Sequence, residues 1–266
     1  MNVLRLDLQR GGIPIPIMRQ LQIEEALYRA DDRNWCIVNR GAAPPTVVLG
    51  ISGKPDELVH AERARRDGVP LLRRFSGGGT VLVGEGTVFV TFVCARGAVP
   101  ELPKLFPREL MAWTGGFYAP VVDGLLRPGG PAFELLDNDY VLRDGGAGGG
   151  GADGGGGGGA LKIGGNAQSL GRDRWLHHTS WLWSFDRDEM AAYLQEPAKR
   201  PEYRRDRSHG DFVCQMCDHA APSASPRAFG DAVVARLGDW FAVEDATLEA
   251  AESVREREHR KSNVLL

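Results

Sequence analysis

The sequence lacks the features that mark secreted, membrane-spanning and nucleic-acid-binding proteins. Only four cysteines occur in 266 residues, and their scatter through apolar stretches suits a reducing compartment better than a disulfide scaffold. No apolar run approaches the roughly 20 residues that cross a bilayer, and residues 1–20 lack a secretory apolar core. A net charge of −3 gives no basic surface for nucleic acid. We expect an unsecreted cytoplasmic or organellar protein without nucleic-acid or membrane partners.

Several common site motifs are also missing. The first glycine-rich run lacks the G-K-[ST] ending of a P-loop, and the Arg74-Phe75 pair before Ser76 lacks the first glycine of the G-x-S-x-G pattern of a nucleophile elbow. Cys214 and Cys217 form a C-x-x-C pair with two histidines nearby, which is one half of a zinc motif. A second pair is absent, and buried structural cysteine is the commoner outcome, so we predict no metal site.

Two glycine-rich phrases stand out against this background. Residues 73–80 read RRFSGGGT, and residues 162–168 read KIGGNAQ, with HHTS following at 177–180. Glycines let a ligand lie against backbone N–H groups, while flanking arginine and lysine supply positive charge for a phosphate or carboxylate. Together the two phrases predict a pocket for an activated acyl group.

Hydrophobic periodicity and turn residues predict a mixed α/β fold. The predicted helices cover residues 17–30, 56–67, 103–119, 186–195 and 226–241. The predicted strands cover residues 35–39, 46–50, 69–75, 132–143, 161–168, 176–183 and 212–216, with a hairpin formed by 81–83 and 87–93.

The chain is predicted to contain a catalytic domain at 1–225, followed by a helix and charged tail at 226–266. Residues after 249 read as solvated helix or disorder. Residues 145–159 consist almost entirely of glycine, a composition that cannot bury apolar surface. We interpret them as a flexible insertion at a hairpin tip, with a mobile lid as the alternative.

The two phrases resemble the catalytic domain of lipoate–protein ligases and of the related lipoyl and octanoyl transferases, which is similar in turn to biotin–protein ligase. The likeness rests on residues 73–80, 138–139, 162–168 and 177–180, which follow the family order. It implies an α+β fold with a mixed, mostly antiparallel sheet flanked by helices. It also implies that ATP, with Mg²⁺, activates lipoate as lipoyl-AMP, which a lysine of an apo lipoyl domain then attacks. Such carriers belong to 2-oxoacid dehydrogenases or the glycine-cleavage system, and a separate accessory partner is one reading of the short C-terminal region.

The resemblance also implies roles for individual residues. Lys162 is the candidate catalytic residue, an electrophilic stabiliser of the mixed anhydride, with a surface lysine at a strand edge as the alternative. Asn138 and Asp139 would bind adenosine or Mg²⁺, or else form a turn. His178 would line the acyl pocket or serve packing, and His177 is the weaker candidate. The remaining candidate binding residues are Arg74, Ser76, Gly77, Gly78, Gly79, Thr80, Gly165, Asn166, Ala167 and Ser180.

Two departures from the family pattern keep alternatives open. Val83-Gly84 stands where many relatives have His-Asp, which removes a polar pair near the entrance. Ala132 stands where one transferase branch has its nucleophilic cysteine. An acyl-carrier-dependent transferase and a catalytically silent lipoyl-domain binder are therefore the competing hypotheses.

Overall fold

A computed structural model describes residues 1–6, 15–102, 104–143, 159–197 and 200–266. The strands are β1 (Asn2–Leu6), β2 (Trp35–Arg40), β3 (Thr46–Leu49), β4 (Leu71–Arg73), β5 (Val81–Val83), β6 (Thr87–Ala95), β7 (Ala132–Leu136), β8 (Asp139–Arg143), β9 (Leu161–Leu170), β10 (Arg174–Leu182), β11 (Glu244–Ala246) and β12 (Val264–Leu265). The helices are α1 (Ile17–Ala30), α2 (Pro55–Leu58), α3 (Ala61–Arg66), α4 (Pro107–Asp123), α5 (Arg187–Tyr193), α6 (His209–Phe212), α7 (Pro226–Leu237) and α8 (Leu248–Arg255). Of the predicted glycine-rich insertion, only Gly159 lies inside the described residues.

The strands form two sheets. The large sheet has the order β11-β1-β2-β6-β10-β9-β8-β7, parallel from β11 to β2 and antiparallel elsewhere. The small sheet has the order β12-β4-β3-β5, in which β3 and β4 run parallel. This mixed, mostly antiparallel arrangement flanked by helices confirms the predicted fold class.

The two faces of the large sheet are covered by different helices. One face carries an aromatic core in which Phe92, Phe117 and Trp181 pack together with residues of α4 and α7. The other face buries Trp35 and Leu176 against Ile23 and Leu27 of α1, with α8 beside them. Strand β6 is buried on both faces, which fits its mostly apolar sequence. Among the described residues, no helix is both long and apolar enough to span a bilayer.

The site lies where the small sheet meets the large one. A small apolar cluster there joins Ile17 and Leu21 of α1, Val48 and Val83 of the small sheet, and Phe89 of β6. Helix α1 therefore contributes to both the core and the site. Its predicted limits, 17–30, are confirmed, and Pro16 directly precedes its first residue.

The predicted hairpin at 81–93 is wrong. Strand β5 pairs with β3 in the small sheet, whereas β6 belongs to the large sheet, where β2 and β10 occupy both of its edges. A turn at Gly84, whose carbonyl accepts the Thr87 N–H at 3.1 Å, does join the two strands. Two short apolar runs joined by a glycine-containing turn predict two consecutive strands. They do not specify which sheet each strand joins.

The predicted strand at 212–216 is also wrong. Phe212 ends α6, whose first turn is capped by Ser208, and Val213 makes a single parallel bridge to Lys162. A 3₁₀ turn, Met216–Asp218, follows. The N-terminal cap competes successfully with the apolar β-prone run that suggested a strand.

Two further predicted elements are interrupted. The predicted strand at 132–143 splits into β7 and β8 at Asp137, whose φ of 54° belongs to a turn. The predicted helix at 56–67 splits into α2 and α3. The break at Asp137 reverses the chain into an antiparallel hairpin and places Asn138 at its tip.

The tail after residue 249 begins in a helix, which is one of the two predicted alternatives, but it packs on the protein instead of lying in solvent. Helix α8 buries Ala251 and Val254 against the α1 side of the molecule. Strand β12 then pairs antiparallel with β4. Ala251 and Val254, with Leu248 packed beside them, give α8 an apolar face for docking. The domain division at 225 stays a prediction.

Candidate active site

The glycine-rich loop at 73–80 leaves β4 and enters β5. Its first part is held by backbone hydrogen bonds: the Arg74 N–H donates to Leu49 at 2.9 Å, the Ile51 N–H to the Ser76 carbonyl at 3.0 Å, and the Gly77 N–H to the Gln168 carbonyl at 3.0 Å. The Gly77 N–H is thus already engaged, which contradicts its predicted role in holding an anion. Among the described residues, no hydrogen bond engages the N–H of Gly78 or Gly79.

Arg74 shapes this loop from within. Its buried guanidinium donates to the Gly77 carbonyl at 3.2 Å and to the Gly79 carbonyl at 2.8 Å. Burial lowers the pKa of Arg74 to about 10, so the side chain stays charged at neutral pH. Across the described residues no carboxylate contacts the Arg74 guanidinium directly, but the buried Glu24 carboxylate acts on it at longer range and partly offsets the effect of burial on its pKa. Arg74 Nε has no hydrogen-bond partner among these residues. A buried cation that no carboxylate contacts directly is expected to attract an anionic ligand.

Gly78 brings the two sequence motifs into contact. Its φ is +117°, and a Cβ at this position would lie 2.5 Å from the Asn166 carbonyl oxygen and 2.6 Å from Arg74 Nη2. Both the backbone conformation and the close approach therefore require glycine. The first motif rests directly on β9 through this residue.

Lys162 lies on β9, inside the large sheet. Its Nζ is 2.6 Å from Asp139 Oδ1, and both side chains are mostly buried. The Tyr203 hydroxyl donates to Asp139 Oδ2 at 2.8 Å. Burial and the Asp139 carboxylate raise the pKa of Tyr203 well above its ordinary value, so this phenol is a donor. Because β8 and β10 flank β9, the alternative of a strand-edge lysine is wrong.

Asn138 and Asp139 are predicted either to bind a ligand or to form a turn, and the structure gives the pair features of both. Asn138 lies in the β7–β8 turn, and its carbonyl accepts from Asn166 Nδ2 at 3.1 Å. The Thr179 hydroxyl donates to Asn166 Oδ1 at 3.0 Å. The turn is thereby tied to β9 and β10, and both residues of the pair face the cavity described below.

Strand β10 presents His178 and Ser180 on the cavity side. His178 Nδ1 lies 3.0 Å from both carboxylate oxygens of Glu24 and 3.0 Å from the Thr91 hydroxyl. Glu24 is fully buried on α1 and also accepts from Gln20 Nε2 at 2.8 Å. With Nδ1 facing a carboxylate, the ring presents Nε2 to the cavity.

Two adjoining chambers lie between these elements. The smaller, of about 220 Å³, has an apolar end formed by Ile17, Leu21, Val48, Val83 and Phe89. The larger, of about 840 Å³, extends toward Leu58, Met190, Leu194 and Phe212. Both chambers are lined by Gly78, Gly79, Thr80, Val81, Asp139, Lys162, Gly165 and Ser180.

Most of the predicted site residues meet at the smaller chamber. Those that line it are Arg74, Gly78, Gly79, Thr80, Asn138, Asp139, Lys162, Gly165, Asn166, Ala167, His178 and Ser180. Ser76 and Gly77 line neither chamber and serve to anchor the loop. Val83, at one of the departures from the family pattern, adds an apolar wall.

Sequence reasoning missed two residues of this site. Glu24 falls within the predicted helix at 17–30, and nothing in the local sequence indicates that this glutamate will be buried. Tyr203 lies in a basic, turn-rich stretch that gave no site signal. The only available hint for Glu24 was its position on the same helix face as Ile17 and Leu21.

The cysteine side chains do not line the chambers, although the Cys214 N–H donates to the Lys162 carbonyl at 3.0 Å. Cys36, Cys94 and Cys214 are buried and Cys217 is half-buried, and none lines either chamber. Burial raises the pKa of Cys36 to about 12. Across the described ranges there is no group of three or more His, Cys, Asp or Glu side chains placed to hold a metal ion.

Comparison with known proteins adds an independent observation. A family model described as the lipoyl protein ligase A/B catalytic domain matches residues 16–238. A Plasmodium falciparum protein named inactive lipoate–protein ligase 2 is 28% identical over 205 residues, which span 70% of this chain and 51% of that protein. The match thus covers about half the length of this relative.

Two solved structures share the fold. A bi-partite lipoate protein ligase from Thermoplasma acidophilum, described with its E2 lipoyl domain, has a TM-score of 0.70 at 20% identity, with 96% of this chain and 89% of that chain covered. A lipoate-protein ligase A bound with ATP has a TM-score of 0.67 at 19% identity, with 96% and 92% covered. At these identities the likeness establishes the fold.

Proposed function

Because this chain belongs to the lipoyl protein ligase A/B catalytic-domain family, we propose that it is a lipoate–protein ligase. In the proposed reaction, the lipoate carboxylate attacks the α-phosphorus of ATP and releases pyrophosphate. A lysine amine of an apo lipoyl domain then attacks the carbonyl of lipoyl-AMP and releases AMP.

One observation carries this proposal: Lys162 and the glycine-rich loop meet around two adjoining chambers. The apolar end of the smaller chamber suits the alkyl chain of lipoate. The larger chamber suits the nucleotide, and the shared wall is where carboxylate and α-phosphate would meet. Holding both reactants in one orientation supplies much of the catalysis of such a reaction.

The polar groups on the shared wall match the charges of this chemistry. Next to this wall, in the smaller chamber, Arg74 supplies a buried positive charge on which Glu24 acts only at longer range. The Gly78 and Gly79 N–H groups are available for phosphate or carboxylate oxygens. The Lys162 ammonium would move from Asp139 to the mixed anhydride and stabilise charge that develops there. Lys162 therefore acts as an electrostatic stabiliser rather than as a nucleophile.

The described residues fit Mg²⁺ only when the ion binds together with ATP, whose phosphates would supply further ligands. Asp139 offers a single carboxylate at the shared wall, and no cluster of acidic or imidazole ligands accompanies it in the part of the chain described. Mg²⁺ commonly takes one or two protein carboxylates, with phosphates and water completing its shell. Bound in this way, the ion would offset phosphate charge, with Asp139 as its protein ligand and Asn138 beside it.

The proposed partner is an apo lipoyl domain of a 2-oxoacid dehydrogenase or of the glycine-cleavage system. The T. acidophilum neighbour is described with its E2 lipoyl domain, which supports a partner of this kind. A separate accessory protein, as in a bi-partite ligase, stays a prediction. It can be tested by adding candidate fractions to the assay below.

The test is incubation with ATP, Mg²⁺, lipoate and an apo lipoyl domain, followed by intact mass measurement of the domain. A lipoyl mass increment that requires ATP is expected. A parallel arm supplies preformed lipoyl-AMP, which separates loss of the first step from loss of the second. Failure in both arms would refute ligase chemistry, and the P. falciparum relative named inactive makes this the first experiment to perform.

The transferase hypothesis predicts a different outcome. It requires no ATP and an acyl-carrier donor, and it passes through a thioester on cysteine. The absence of cysteine from both chamber linings disfavours it. A trapped thioester on Cys214 or Cys217 would restore it, whereas tight lipoyl-AMP binding without turnover would favour the silent binder.

A further inference from the structure

Residues 262–266 lie beyond the region matched by the family model, yet Asn263 bonds to both α1 and the glycine-rich loop, which contribute residues to the smaller chamber. We propose that Asn263 is a positioning residue that holds the glycine-rich loop against α1. This inference deepens the proposed function and rests on it for its catalytic consequence.

The Asn263 amide bridges two elements that line the chamber. Its Oδ1 accepts the Phe75 N–H at 3.1 Å, at the start of the glycine-rich loop. Its Nδ2 donates to the Leu21 carbonyl at 3.1 Å and to Glu25 Oε2 at 2.8 Å. Leu21 lines the apolar end of the chamber, so one side chain links that wall to the glycine-rich loop.

The bridge is itself fixed at both ends. On one side the buried Glu25 carboxylate accepts the Ser262 N–H at 2.9 Å and the Arg29 Nε–H at 2.9 Å. On the other side, β12 pairs with β4, with Val264 opposite Arg73. A carboxylate with several donors and a strand pairing leave Asn263 little freedom to move.

Asn263 provides one of the hydrogen bonds that anchor the loop just before Gly78 and Gly79. The N–H groups of Arg74, Phe75 and Gly77 donate to Leu49, Asn263 and Gln168, respectively. Three successive anchors from three different elements then position Gly78 and Gly79, whose N–H groups the proposed function assigns to substrate oxygens. Among these anchors, the Phe75 contact is the one made by a side chain, and it can therefore be removed by substitution.

The experiment compares Asn263→Ala with two controls in the full chain. Ser262→Ala is the adjacent control, because the Ser262 Oγ has no hydrogen-bond partner among the described residues. Thr247→Ala is the stability control, because it removes the α8 cap that accepts the Ala250 N–H at 3.2 Å without touching the loop. The readouts are KM and kcat for lipoate, and amide hydrogen exchange of residues 74–80.

For Asn263→Ala we expect KM for lipoate to rise about tenfold with kcat within about twofold, since loss of buried hydrogen bonds commonly has this magnitude. Exchange at the Phe75 amide should accelerate at least about tenfold. Both controls should keep the wild-type KM. Unchanged KM with unchanged exchange, or an equal KM rise in Thr247→Ala, would overturn the inference. If the wild-type protein itself does not lipoylate, the proposed function fails, while the exchange readout still decides whether Asn263 positions the loop.

Discussion

The two faces of β10 place neighbouring histidines in opposite surroundings. His177 is fully buried beneath the aromatic core, with Tyr140 Oη at 3.3 Å and Gln168 Nε2 at 3.3 Å, and burial lowers its pKa to about 3. His178, one residue on, faces the smaller chamber and the Glu24 carboxylate. Successive side chains of a strand point to opposite faces. One strand therefore carries a stability face and a chemistry face, and substitutions on the two faces should have separable effects.

Removing Trp181 should give the largest effect, on the stability face. Its indole is fully buried and stacks on Tyr140 at 4.9 Å between ring centroids. Trp181→Ala should lower the free energy of unfolding by about 3–5 kcal/mol through loss of packing and a residual cavity. Urea denaturation measures this loss. Phe106→Ala, at an aromatic residue that is 58% exposed, should change it by less than about 0.5 kcal/mol, and equal effects would remove the distinction.

Removing Lys162 should give the next largest effect, on the chemistry side. Lys162→Ala should lower kcat on the order of 10²–10³, as expected for loss of one electrostatic stabiliser. Lys162→Arg should recover part of the rate, because charge is retained while the geometry changes. Single-turnover lipoylation measures both. Lys54→Ala, at a lysine whose side chain is 72% exposed, should keep the wild-type rate, and a loss below tenfold in Lys162→Ala would contradict the assignment.

These contrasts also show what sequence reasoning can reach. The limits of α1, the fold class and the family resemblance were predictable, because local periodicity and two contiguous motifs carry them. The contact between Gly78 and β9 was implied by the pairing of the motifs but needed the tertiary structure to be seen. The sheet assignment of β5 was not predictable, because alternation in sequence is the same for either sheet.

Residues that act through distant partners were the ones missed. Glu24, Tyr203 and Asn263 each lie far along the chain from the motif that they support. Their residue types are common on surfaces, and no short spacing marks them. Burial of a polar side chain becomes informative only when its partners are known.

Replacing Glu24 should give an effect of intermediate size. It should change both the stability of the protein and the chamber-facing side chain of His178. Glu24→Gln puts an amide where the carboxylate now accepts from Gln20, Thr91 and His178, so at least one donor loses its partner. The free energy of unfolding should fall by about 1–3 kcal/mol. In the wild type, ¹⁵N NMR should find the His178 proton on Nδ1, and a proton on Nε2 alone would contradict the geometry. Glu109→Gln, in the first turn of α4, is the surface control.

The smallest expected effect is the pH dependence contributed by His177. Its folded-state pKa of about 3 lies below the ordinary value of 6.5, so below pH 6.5 the unfolded chain binds a proton that the folded protein does not. Stability from this group is therefore complete above pH 6.5 and is lost as pH falls, by at most about 1.4 kcal/mol per pH unit. His177→Gln should remove that slope, and the difference between the two urea midpoints from pH 7 to pH 5 isolates it from the carboxylates. Parallel slopes in the two proteins would show that His177 takes up its proton in the folded state, and the electrostatic contrast between the two faces of β10 would then fail.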